Sequence, residues 1–134
     1  MEYLYHGSTI SGLKILEPRK RFTPAGKIEY ATVYASPLAI VAAAHSFPWA
    51  SDEGIDFKIS DKSELELLVP KLQAERLDQP ISIYTVSAEH FRPTTEDETG
   101  LTYHTEESVE VLGESAYPSA TEAIKVLGGT ITLI

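Results

Sequence analysis

The apolar residues of this chain come in short runs, each closed by glycine, proline or a polar cluster, a spacing that suits strands and brief helices rather than long elements. Residues 2–6 read as a first strand, with Tyr3 and Tyr5 on one face and Leu4 and His6 on the other. Residues 8–27 read as irregular, punctuated by Gly12, Pro18, Pro24 and Gly26, with Leu13, Ile15 and Leu16 anchoring the segment to the core. Residues 28–35 form a second strand. Ser36-Pro37 then starts a helix, because serine caps free amides and proline suits a first turn where no N–H is needed. Leu38, Ile40, Val41 and the alanines at 42, 43 and 44 carry it to about Phe47, and Pro48 stops it.

The remaining segments continue in the same manner. Strands are predicted at residues 57–59, 64–69, 81–86 and 108–112, and a short helix at 71–77. Residues 88–91 form a turn, and residues 93–100, with Glu96, Asp97 and Glu98 and no large apolar side chain, form an exposed loop. Ser119-Ala120-Thr121-Glu122 is a capping box that opens a helix through Leu127, ended by Gly128 and Gly129. Residues 130–134 close the chain as a β-branched strand predicted to be buried. Short strands with two or three helices among them describe an α+β fold, a single domain over residues 1–134. The long β-α-β alternation of a Rossmann unit and its glycine fingerprint are missing.

Charge narrows the ligand classes. Twenty Asp and Glu against eleven Lys and Arg leave a net charge of −9, a field that repels phosphate backbones and acidic membrane surfaces. Bulk nucleic-acid binding is not expected. Arg19, Lys20, Arg21 and Lys27 could form a local positive patch for a small anion, although such a cluster more often marks a solvated loop. Without cysteine there is no disulfide frame, thiol nucleophile or thiolate metal site. There is no apolar run of transmembrane length, and Met1-Glu2-Tyr3 is not the basic start of a signal peptide, so a cytoplasmic location is expected.

Two motifs carry the chemistry. Tyr5-His6-Gly7-Ser8-Thr9 ends the first strand, and Val33-Tyr34-Ala35-Ser36 ends the second, 28 residues separating His6 from Tyr34. A histidine followed by glycine at a strand exit places a ring able to bond a sugar hydroxyl beside a backbone with no Cβ in the way of a flat ligand. A strand-borne tyrosine could supply the ring on which that ligand stacks.

Leu4-Tyr5-His6-Gly7-Ser8 resembles the first motif of the ADP-ribosyltransferase fold, in the His-Tyr-Glu class typified by diphtheria toxin and the poly(ADP-ribose) polymerases. Val33-Tyr34-Ala35-Ser36, with Ala39 to Ala43 in the following helix, is similar to the second. The resemblance implies a split β-sheet core and NAD as substrate. It also implies that His6 bonds the adenosine ribose, that the Gly7 backbone holds the nicotinamide carboxamide, and that Tyr34 stacks near the nicotinamide. Ser8, Ala35 and Ser36 line the same site in that reading. Relatives of diphtheria type carry a second aromatic eleven residues after the tyrosine, where this chain has His45; Phe47 and Trp49 are substitutes, though both more simply cover the end of an Ala-rich helix.

The resemblance also implies a catalytic glutamate. Ser108-Val109-Glu110-Val111-Leu112 resembles the family's third strand, with Glu110 as the acid. A second alignment, over residues 103–112, puts Thr102 at the acid's position, so that the acid is absent; Glu106 and Glu107 lie between the two. Splitting the nicotinamide–ribose bond builds positive charge on the anomeric carbon, and a carboxylate opposes it more strongly in the transition state than in the ground state. The carboxylate suffices, so no metal is required. The acceptor would be a protein side chain, a nucleic-acid group, a small molecule or water.

The main rival is the same fold without catalysis, a module binding a nucleotide or protein partner. His6, His45, His90 and His104 match no metal-ligand spacing and are more simply scattered surface histidines. A tRNA 2′-phosphotransferase, related in fold, needs basic residues that this acidic chain lacks, and adjacent acids such as Glu106-Glu107 more often solvate a surface than act as a glycosidase pair.

Overall fold

The computed structural model describes residues 2–22, 28–47, 54–60, 64–94 and 100–134. They form an α+β fold of eleven mostly short strands, two short α-helices and one 3-10 helix. The strands make three sheets. The central one joins β1 (Tyr3–Ser8), β7 (Ile81–Ser87), β10 (Val109–Tyr117) and β2 (Ile15–Leu16), in that order and antiparallel throughout. A second contains β3 (Arg19–Phe22), β4 (Ile28–Ala35), β9 (Tyr103–Thr105) and β8 (Arg92–Pro93). The third places β6 (Leu65–Val69) between β5 (Asp56–Ile59) and β11 (Thr130–Leu133).

β7 shows why the central sheet is central. Its side chains alternate between two cores: Ile81 and Ile83 enter one, while Tyr84 and Val86 enter the other. The first core is closed by α1 (Ala39–Ala44) and α2 (Ala120–Val126), with Leu65, Leu67 and Val69 of β6. The second lies against the sheet of β4 and joins Leu4, Tyr84, Val86 and Val109 to Val33 and Ala35. Each fully buried leucine or isoleucine, such as Leu67 and Ile124, contributes about 2 kcal/mol by leaving water.

Local signals explain the helices unequally. Ser119 caps α2 as its capping box predicts, accepting the Glu122 N–H at 3.0 Å. Ser36 does not cap α1. Its Oγ accepts the Leu38 N–H at 3.2 Å in a local turn, so the helix starts at Ala39 and ends at Ala44, shorter than the apolar pattern suggests. The segment after Pro70 is the 3-10 helix Lys71–Asp78.

Three expectations need correction. Residues 19–22 form β3 rather than a loop. Ile15 is 52% exposed and anchors nothing, since β2 turns only Leu16 inward. The closing strand is not buried: among the described residues β11 pairs on one side only, parallel to β6, and Leu133 and Ile134 remain exposed. Pro24, Gly26, Lys27, Pro48, Trp49 and the acids Glu96, Asp97 and Glu98 lie outside the described residues. Among the described residues no helix is long and apolar enough to cross a membrane.

Candidate functional site

The two sequence motifs meet where β1 and β4 part. Tyr5 exchanges both backbone hydrogen bonds with Ser36, each 2.8 Å, so its N–H and C=O point away from β7. Along a strand that direction recurs at every second residue, and Gly7 therefore points its N–H and C=O the same way. A continuing antiparallel ladder would give Gly7 the partner Tyr34. The ladder stops instead, because the Tyr34 carbonyl accepts the His6 Nδ1–H at 2.6 Å. On this edge of β4, β3 pairs as far as Thr32 and β1 enters at Ser36, so Tyr34 occupies the gap between them. The β1–β4 bridge is confined to Tyr5 and Ser36, so Gly7 sits just past its end with its amide edge turned toward Tyr34.

The hydrogen bond also sets the chemistry of His6. A carbonyl only accepts, so Nδ1 carries the proton of the neutral ring and Nε2 is its acceptor. An acceptor nitrogen beside an amide edge suits a ligand with both hydroxyl and carboxamide groups. Gly7 has a second, structural reason to be glycine: a Cβ built there would lie 2.0 Å from the Ala42 carbonyl oxygen of α1. The space freed by its missing side chain belongs to the helix, so any ligand site at this glycine would have to use its backbone edge and not that face.

The His6 side of the central sheet is half apolar and half polar. Leu4, Val86 and Val111 make a cross-strand row at one end. His6, Tyr84 and Glu114 make the next, and Ser8 faces Ser82 beyond it. Neighbouring strands lie about 4.8 Å apart, which puts the His6 and Glu114 backbones about 10 Å from each other across β7. The Glu114 carboxylate accepts the Ser82 hydroxyl at 2.6 Å and the Gly12 N–H at 3.2 Å. Its pKa is held below the ordinary glutamate value, first by Ser82, then by Gly12, with smaller help from the Lys14 charge and the Tyr84 hydroxyl.

The other candidates are dispersed. Glu110 is exposed, on the opposite side of β10 from Val109 and Val111, and so faces away from His6. Glu106 pairs with Arg92 at 3.5 Å and Glu107 with His90 at 3.6 Å, all well exposed. The Thr102 carbonyl accepts the Thr94 N–H at 2.9 Å, joining the strands around β8 and β9. Tyr34 projects from the side of β4 opposite Val33 and Ala35, its ring 6.4 Å from His104. His45 ends α1 and meets Phe57 edge-on at 5.1 Å. Phe47 is buried in the helix-lined core, covering the helix end. Ser8 accepts the Ile10 N–H at 3.0 Å, Ala35 is core, and the Ser36 backbone forms the bridge.

The sequence reading missed Glu114, and the signal for it was Gly113. β10 slips by one residue between Val111 and Gly113, so the side chains on the His6 side run Val109, Val111, Glu114, the last of them exposed at the sheet's polar end. A glycine inside a strand often marks such a bulge, whereas strict alternation would have turned Glu114 outward. A shallow open concavity of about 460 Å³ lies elsewhere, lined by Lys58, Glu64, Glu66 and Thr130, and includes none of the motif residues. Among the described residues no cluster of three or more His, Cys, Asp or Glu could hold a metal ion. In comparisons with protein-family models, curated proteins and solved structures, nothing matches this chain.

Proposed function

We propose that the chain is an ADP-ribosyltransferase-like domain that binds NAD at the parting of β1 and β4 and splits its nicotinamide–ribose bond. The observation that supports this reading is the Gly7 amide edge just past the end of the β1–β4 bridge, beside an imidazole whose Nδ1 is pinned by the Tyr34 carbonyl. Gly7 N–H donates to the carboxamide oxygen and Gly7 C=O accepts from the carboxamide nitrogen, a two-point grip that orients a flat ring. His6 Nε2 accepts a ribose hydroxyl, and Tyr34 contributes through its carbonyl, which fixes the imidazole, while its ring lies on the other side of β4.

Glu114 replaces Glu110 as the acid in this reading. The carbon–nitrogen bond breaks with its electron pair leaving on nicotinamide, and the cationic sugar carbon is opposed by the ionised carboxylate. An oxygen or nitrogen of the acceptor then bonds that carbon and releases its proton to water. The acceptor is a protein group, a small molecule or water itself. A second reading, a module that binds the dinucleotide and leaves it intact, draws on the same carboxylate, which already holds Ser82 and Gly12.

Calorimetric NAD binding and chromatographic nicotinamide release, measured on wild type, His6→Ala, Glu114→Gln and Glu110→Gln, test both readings. Binding with release, lost in His6→Ala and reduced roughly a hundredfold in Glu114→Gln, is the expected result. Binding without release selects the inert module. Failure of the wild type to bind NAD ends both.

A further inference from the structure

We propose that Tyr84 is a positioning residue of this site, its hydroxyl seating residues 9–14 across the central sheet and thereby fixing the Glu114 carboxylate. The inference deepens the dinucleotide reading and rests on it only for the kinetic measurement below. Tyr84 is fully buried, and a phenol so placed must give its hydroxyl partners. It has two, both backbone: the O–H donates to the Ile10 carbonyl, and the oxygen accepts the Leu13 N–H at 3.3 Å. Phenylalanine would fill the core equally well, so the hydroxyl's contribution is to hold the chain on either side of Gly12.

Gly12 has a φ of 76°, a left-handed conformation natural to glycine, and there its N–H meets both carboxylate oxygens of Glu114, at 3.3 and 3.2 Å. Ser82, adjacent in sequence to Ile81 and Ile83 of the other core, donates to the same carboxylate from within β7. The carboxylate is thus gripped from two sides, by its neighbouring strand through Ser82 and by the crossing segment through Gly12. The second grip depends on Tyr84, whose hydroxyl also has a minor direct influence on the carboxylate. Because Tyr84 pairs with His6 on one side and Glu114 on the other, one phenol stands between the two groups assigned to substrate and ties the segment that spans them.

Tyr84→Phe in the full chain is the test. Without ligand, amide protection at Gly12 and Leu13 falls about tenfold or more while that of Val86 holds, and the NMR titration of Glu114 moves up toward the ordinary glutamate range. Ser82→Ala moves the Glu114 titration in the same direction but leaves Leu13 protected. With NAD, Tyr84→Phe lowers kcat about tenfold with little change in KM, since the variant keeps the His6 and Gly7 contacts. Unchanged protection at Gly12 in Tyr84→Phe, or a Glu114 titration that does not move, overturns the proposal whether or not the wild type turns over NAD. If Tyr84→Phe does not fold, the wild type decides: Gly12 and Leu13 released by one opening event share one protection factor, and values differing by more than about tenfold overturn it.

Discussion

The two sides of the central sheet obey different rules. Toward α1 and α2 the buried side chains of β7 are Ile81 and Ile83, with Thr85 half-buried beside them, and the interface is so close that Gly7 has no room for a methyl group. Toward β4 the sheet is apolar only at one end; at the other stand a phenol, an imidazole, two serines and an exposed carboxylate, each satisfied by a hydrogen bond. A face that carries polar side chains must match each buried one with a specific partner, as it does for Tyr84, Ser82 and His6, while Glu114 remains exposed to solvent.

If the helix side is governed by packing alone, Gly7→Ala should have the largest effect. The new methyl must displace the Ala42 carbonyl and Ser46, for a loss of about 3 kcal/mol measured by urea unfolding. The polar side answers to a different measurement. Glu114→Gln should reduce nicotinamide release roughly a hundredfold while the helix-side core stays intact in near-ultraviolet dichroism. Smaller, and informative by its sign, is the response to pH. The Glu114 pKa is depressed in the folded chain, so its tether to Gly12 is present above the unfolded carboxylate value and is lost only as pH falls through the lower folded one. The Gly12 amide shift should therefore stay constant through mild acid and move only below the ordinary glutamate range; movement near neutrality would mean that another group holds the segment. The smallest effect belongs to Glu110→Gln. With its side chain in solvent, stability should change by less than about 0.5 kcal/mol and nicotinamide release should not change.

Strands with enough alternation, β1, β4, β6 and β7, were legible in the sequence, as was the capped helix α2. The two- to four-residue strands β2, β3, β8 and β9 were not, because so few residues carry no period and their hydrogen bonds come from partners distant in sequence. α1 was legible as a helix but not in extent, since Ser36 gave its backbone to the Tyr5 bridge and its hydroxyl to a local turn.

The same division separates the halves of the candidate site. His6, Gly7 and Tyr34 were visible because their motifs are local strings, each ending a readable strand. The acid was not visible. Its face depends on a one-residue bulge at Gly113 and its partners are Gly12 and Ser82, 102 and 32 residues away along the chain. Residue type and short-range spacing determined which elements could form and which side chains could do chemistry. Register, and with it the glutamate that shares a row with His6, was decided by strand pairing, because in a structure of period two a single extra residue exchanges one face for the other.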